Sequence, residues 1–261
     1  TSVTNGVHVP TWLAPEAQSF WRRSVGIDLS RASPDANPWP AALGAGHAEF
    51  WGMRHALRHK LVEFIRGRLR RQAMARGEGP LELLCSGEAF RSDALTIGFA
   101  RRFATYKRAP LIFRDVERIL RILTAKDRPV QVVFAGKAHP KDLGGQEYAQ
   151  LIWRFAREAG FQGRVALIEE YDMEVGRMLT SGCDVWLNNP LRPYEASGTS
   201  GMKPPLHGGV NLSVLDGWWP ESWDGTNGWA IGDGSENPDS ELQAEKDATA
   251  LYELLEREVV P

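Results

Sequence analysis

Long apolar runs are missing from this chain. Nowhere do about 18 or more apolar residues follow one another, so no membrane-spanning helix is expected. The first residues hold neither a basic stretch nor an apolar one, which speaks against a signal peptide. Charge of one sign is missing too. With 31 Lys and Arg against 33 Asp and Glu, and a net charge of -2, nothing favours nucleic acid as a partner. Cysteine is scarce: Cys85 and Cys183 stand far apart, outside any metal-ligand spacing, and read as reduced small hydrophobes. No metal site is expected, and a cytoplasmic setting fits. What is present is a 43% hydrophobic composition over 261 residues, enough for one large core or two modest ones. Ten tryptophans are many for this length. Sugar rings stack on such faces, although most tryptophans pack cores.

Residues 1–44 read as irregular, with a turn-rich stretch "SPDANPWPAALGAG" at their end. A long connecting helix is assigned to 45–80, because Phe50, Leu57, Leu61, Phe64, Ile65 and Leu69 recur at helical spacing. Short apolar runs then alternate with amphipathic segments. Strands are predicted at 95–100, 130–136, 164–170 and 184–190, and helices at 109–124, 146–160 and 173–182. This alternation predicts an α/β fold: a Rossmann-like, doubly wound parallel sheet over 81–234, followed by an acidic helix at 235–261.

Ligands of such sheets sit beyond the carboxyl ends of the strands, so the loops there matter most. After "LTIGFA" comes "RRFATYKR", with Arg101, Arg102, Lys107 and Arg108 around a loop expected to open a helix. Cations at a helix N-terminus oppose its dipole, and four of them want an anion. "KAHPKD" adds Lys137, His139 and Lys141 to the same rim, and His139 is assigned no role. After "DVWLNNP" comes "PYEASGTSGMKPPLHGG", crowded with small residues. The amides of Gly198, Thr199 and Ser200 are expected to form an anion cradle at a helix N-terminus, with Lys203 about one turn further on.

Four stretches in order, "NGVHVPTWLAPE", "GFARRFATYKRA", "EASGTSGMK" and "HGGVNLSVLDGWWPE", resemble the glycogen and α-glucan (maltodextrin) phosphorylases, the short bacterial type being the nearest fit. The resemblance runs from Thr4 to about Gly234. It implies a retaining glycosyltransferase that uses pyridoxal 5'-phosphate, in which inorganic phosphate cleaves the terminal α-1,4 bond of glycogen, starch or maltodextrin to give glucose 1-phosphate. Carried over residue by residue, it makes Lys203 the Schiff-base lysine. Thr199 and Ser200, helped by Arg101, would bind the cofactor phosphate, and Tyr171 would line its pocket. Arg102 and Lys107 would hold the substrate phosphate. Glu195, Ser197, Gly198 and Asn5 would bind the glucosyl unit. Two adjacent phosphates repel, so several fixed cations are what such a site needs. In this family the cofactor phosphate is thought to relay protons, and no carboxylate pair is required. Glu169, Glu170 and Asp172, which a glycosidase would use, then read as strand-end and cap residues.

The resemblance also implies the C-terminal half of a two-domain GT-B architecture. The N-terminal half of the parent would supply the other wall of the glucan cleft and most of the contacts of an oligomer. Leu191 stands where a basic residue is usual and His207 where an asparagine is usual, and Pro204 and Pro205 directly follow the lysine. The chain alone is expected not to catalyse phosphorolysis. Two other readings compete: a sugar-nucleotide-dependent glycosyltransferase related to glycogen synthase, which would not need Lys203, and a non-catalytic glucan-binding remnant.

Overall fold

The computed structural model describes residues 3–26, 28–29, 31 and 39–261. Helices α1 (Val9–Trp12), α2 (Pro15–Val25), α3 (Trp39–Ala42), α4 (His47–Ala75) and α5 (Pro80–Glu88) come first. An alternating series follows: β1 (Leu95–Ala100), α6 (Val116–Leu123), β2 (Val130–Ala135), α7 (Leu143–Arg157), β3 (Val165–Ile168), α8 (Met173–Gly182) and β4 (Val185–Asn188). The chain continues through β5 (Val210–Val214), α9 (Trp219–Ser222), β6 (Gly228–Ile231) and α10 (Ser240–Leu254).

The strands are short and apolar because both faces of the sheet are covered, which removes the polar alternation of a half-exposed strand. All six lie in one sheet in the order β3-β2-β1-β4-β5-β6, and every pairing is parallel. The architecture is Rossmann-like. On one face Ile97, Phe99, Val132, Phe134, Leu187 and Leu212 pack against Ile119 and Ile122 of α6, Ile152 of α7 and Leu251 of α10. On the other, Ala100, Val133, Ala135 and Trp186 meet Leu61, Val62 and Ile65 of α4 and Val175 and Leu179 of α8. Aspartates start four of the helices: Asp115, Asp142, Asp172 and Asp239 each accept a main-chain N–H of the first turn. Each cap is worth about 1 kcal/mol.

Several expectations need correction. Residues 1–44 are not irregular throughout: α2 buries Ala17, Phe20 and Trp21 against Met53 and Leu57 of α4. Its Pro15 occupies the first helical position, where a missing N–H costs nothing. Residues 33–38 of the turn-rich stretch lie outside the described residues. The helix expected at 109–124 divides into a 3-10 turn, Ala109–Phe113, and α6, because the Asp115 carboxylate caps Arg118 N and starts a new helix. No α-helix follows the turn at 193–198. Thr199–Met202 and Pro204–His207 are two successive 3-10 turns, since Pro204 and Pro205 have no N–H to give to an α-helical ladder. The acidic C-terminal helix is present as α10, and its apolar face buries Ala244, Ala248, Leu251 and Tyr252. Strands β5 and β6 extend the sheet beyond the four foreseen.

The strand order reverses between β1 and β4, where Ile97 pairs with Val185 and Gly98 with Trp186. The crevice beyond their carboxyl ends is where such a sheet takes its ligands.

Candidate active site

Two loops meet at that crevice, Arg101–Arg108 after β1 and Asn189–Gly198 after β4. Arg108 fastens them: its guanidinium donates to Asn189 O (2.9 Å) and Pro190 O (2.7 Å) and pairs with the buried Asp247 of α10. In return Asn189 Nδ2 donates to Arg108 O at 2.9 Å. Glu195 is the second fastening. Its carboxylate pairs with Arg101 (2.5 Å) and Lys107 (2.8 Å), and all three side chains are less than a tenth exposed. Its backbone N–H donates to Asp216 Oδ2 beyond β5, and Trp218 N donates to Ser197 O, so the turn rests on the Asp216–Trp219 segment. Burial, assisted by Glu195, pushes the Asp216 carboxyl above its ordinary value.

An open cleft of about 480 Å³ lies over this arrangement, lined by Asn5, Arg101, Arg102, Lys107, Glu195, Ser197, Gly198, Thr199 and Ser200. Three cations face one carboxylate there, so the lining carries a net positive charge. Gly198 adopts a left-handed backbone (φ 77°), and a Cβ there would come within 3.7 Å of Arg101 Nη2 and 3.4 Å of Glu195 Cγ. Three side-chain polar atoms of the cleft lining are buried without a hydrogen-bond partner among the described residues: Arg101 Nε, Arg101 Nη1 and Ser197 Oγ. Unsatisfied buried donors cost about 1–3 kcal/mol each, and this cleft leaves two on a single guanidinium. Burial lowers the Arg101 pKa, partly offset by Glu195.

The expectation that four loop cations jointly await an anion is therefore too simple. Arg101 and Lys107 already hold Glu195, and Arg108 holds Asp247. Arg102 alone of the four is exposed, with no ion pair among the described residues.

Lys203 and Tyr171 do not line this cleft. The Lys203 amine is half-buried 3.6 Å from the centroid of the Trp12 indole, and burial pushes its pKa down. The tyrosine stands nearby, at Gly176 of α8, where a methyl group would strike the Tyr171 hydroxyl (2.8 Å) and touch the Trp12 ring (3.4 Å). The 3-10 turn Thr199–Met202 joins niche to cleft: Ser200 lines the cleft and its Oγ also meets Trp186 Nε1 at 3.4 Å. His139 is exposed, its ring nitrogen accepting from Lys141 N in its own loop. Asp172 caps α8 through Val175 N, as expected of a cap residue.

Sequence reasoning left Trp12 and Asp216 without roles, although both lie inside quoted stretches, "NGVHVPTWLAPE" and "HGGVNLSVLDGWWPE". The available signal was the proximity of Trp12 to Asn5 in the same stretch. Nothing in the spacing of residues 12 and 203 could place an indole on an amine.

No family model matches the chain. Among curated proteins, a glycogen phosphorylase of Mycobacterium tuberculosis is 46% identical over 260 residues, covering 100% of this chain and 30% of that protein. A glycogen phosphorylase of Aquifex aeolicus is 42% identical over 259 residues, 99% of this chain and 37% of its own length. A maltodextrin phosphorylase of Thermococcus litoralis is 42% identical over 260 residues, 99% of this chain and 31% of its own. This chain thus spans about a third of the length of the relatives it matches. Matched from end to end at this identity, the chain belongs to the glycogen and maltodextrin phosphorylase family.

Proposed function

We propose that these residues form the cofactor- and phosphate-binding part of an α-glucan phosphorylase with a two-domain GT-B architecture. Its reaction would release glucose 1-phosphate from the terminal α-1,4 bond of a glucan, with inorganic phosphate as co-substrate. The coverage of about a third of each relative supports a further wall of the glucan cleft in the rest of such a protein.

The residues fit pyridoxal 5'-phosphate. A half-buried amine with a lowered pKa, Lys203, suits attack on an aldehyde, which only the neutral amine performs. The buried, unpartnered N–H groups of Arg101 and the Thr199–Ser200 turn suit its phosphate, and Tyr171 suits the wall of its pocket. When bound, the cofactor supplies a second phosphate that can pass protons to and from the substrate phosphate. Arg102 and Lys107 hold the substrate phosphate, and Glu195, Ser197, Gly198 and Asn5 orient the sugar. The substrate phosphate then gives its proton to the glycosidic oxygen, the C1–O bond breaks, and a phosphate oxygen bonds C1 on the same face. Glu195, already held by two cations, is an acceptor for sugar hydroxyls.

The observation that carries this reading is the desolvated Lys203 amine beside a net-cationic cleft. A sugar-nucleotide transferase has use for the cations but none for the amine. In the full-length protein, added pyridoxal 5'-phosphate should give an imine absorbance band. Borohydride reduction and peptide mapping should place the label on Lys203, and phosphate with maltoheptaose should release glucose 1-phosphate. A label on Lys107 or Lys137, or no label at all, sinks the reading.

A further inference from the structure

The turn that carries Lys203 ends on a histidine that the proposed chemistry leaves unused. His207 is fully buried. Its Nε2 lies 3.0 Å from the backbone nitrogen of Ala14, in the elbow between α1 and α2. A backbone N–H can only donate, so Nε2 must accept and the ring proton sits on Nδ1. Nδ1 in turn lies 3.2 Å from Lys203 O, which can only accept. The two partners select one neutral tautomer between them.

We propose that His207 is a positioning residue for Lys203: as the neutral Nδ1–H tautomer it ties the α1–α2 elbow to the Lys203 turn, and so holds the Trp12 ring over the amine. The connection closes on itself. Lys203 O meets His207, His207 meets Ala14, Ala14 lies two residues after Trp12, and Trp12 covers Lys203 Nζ. The neighbouring contacts fix both ends. Trp21 Nε1 of α2 donates to Leu206 O at 2.7 Å, and Arg54 Nη1 of α4 donates to His207 O at 3.0 Å. Pro204 and Pro205 prepare the arrangement. In an α-helix Lys203 O would take the N–H of residue 207, whereas in this 3-10 turn it takes Leu206 N and leaves room for the imidazole.

An imidazolium cannot take the same place, because its Nε2–H would face the Ala14 N–H. The charged groups around the ring agree with the neutral form. Arg54 on α4 is the near cation, Glu16 on α2 is a weaker, partly exposed neighbour, and the half-buried Lys203 lies on its own turn. Burial and Arg54 together hold the imidazole pKa down to about 4.

The inference rests on the reading of Lys203 as the reactive amine, but its test needs no cofactor. In the cofactor-free full-length protein, the pH dependence of Lys203 acetylation by acetic anhydride can be followed by peptide mass spectrometry. His207→Leu should raise the apparent pKa of Lys203 toward the ordinary lysine range, because the amine loses its cover. It should also weaken pyridoxal 5'-phosphate binding about tenfold, the scale of one or two lost hydrogen bonds. His207→Gln, which keeps an acceptor for Ala14 N, should restore most of both. If the leucine variant does not fold, Ala14→Pro decides, since it replaces the donor with a ring carbon that faces Nε2 and so breaks the same contact. Residue 14 has φ -69° and the preceding Leu13 is extended, so the backbone accepts proline there. A folded His207→Leu or Ala14→Pro protein with an unchanged Lys203 profile overturns the inference, as does failure of a folded His207→Gln to restore it. Wild-type protein that binds no pyridoxal 5'-phosphate, yet shows these profile shifts, overturns the proposed function and keeps the inference.

Discussion

The cleft at the β1 and β4 ends and the niche of Lys203 share one 3-10 turn but are built on opposite physics. In the cleft, charge is concentrated and partly satisfied from within: Glu195 lies between Arg101 and Lys107, and the net charge left over faces the opening. In the niche, charge is discouraged. An indole, a buried neutral imidazole and a half-buried amine meet there, and the pKa shifts of amine and imidazole both run toward the uncharged form. The cleft comes from strand-end loops of the sheet, whereas the niche exists only because α1 and α2 dock on α4 and α8. A site that must hold anions while keeping one amine neutral needs both environments, a few residues apart and electrostatically distinct.

The largest effect expected from breaking the contrast is at Glu195. Glu195→Ala leaves Arg101 and Lys107 buried without their carboxylate, and breaking a buried pair from one side costs about 3–5 kcal/mol. Denaturant unfolding should report a loss of that size. Millimolar inorganic phosphate should return part of it, since an anion can replace the missing carboxylate. A loss within the range of surface substitutions, with no response to phosphate, would show that the two cations do not depend on Glu195.

The next effect sharpens the niche. An unfolded histidine titrates near about 6.5, whereas His207 is held at about 4 in the fold. Between these values the unfolded chain binds more protons, so this contribution to stability is present above about 6.5 and is lost as pH falls toward 4. The whole window amounts to about 3 kcal/mol, at 1.36 kcal/mol per pKa unit. The unfolding free energy of the wild-type protein should therefore fall relative to that of His207→Gln as the pH drops from 7 to 4. Parallel curves would mean that His207 is not held neutral by the fold.

The two regions also differ in how far the sequence foretold them. Strands β1 to β4 were legible because each is an apolar run with at most one polar residue in it. Strand β5 was not, since Asn211 and Ser213 interrupt its pattern; both are buried, and Asn211 Nδ2 donates to Gly201 O. Strand β6 is only four residues long and begins with Gly228. Residues that line the cleft were named together because they follow strands, and a strand's carboxyl end can be located from its run. Their mutual pairing was hidden, because Arg101, Lys107 and Glu195 are separated by up to 94 residues and a basic loop looks the same whether or not a carboxylate returns to it. The niche was hidden further, since it depends on tertiary docking of a segment whose prolines suggested irregular chain.

The smallest expected effect on the fold, and the most direct probe of function, is at Arg102. Its three neighbours in the loop are buried and committed to protein carboxylates, so their loss would confuse folding with catalysis. Arg102 is exposed in the cleft and bears no such partner among the described residues. Arg102→Ala should leave unfolding free energy within ~0.5 kcal/mol of wild type, as surface substitutions do. If it clamps the substrate phosphate, use of phosphate and glucose 1-phosphate by the full-length protein should weaken by about 2 kcal/mol, some thirtyfold in kcat/KM, while cofactor content stays near normal. Lost cofactor with unchanged phosphate kinetics would mean that the two anion positions are reversed. No change in either would leave the phosphate to Lys107 and to donors of Arg101 that Glu195 does not use, Nε and Nη1, and Arg102 would then have no part in the clamp.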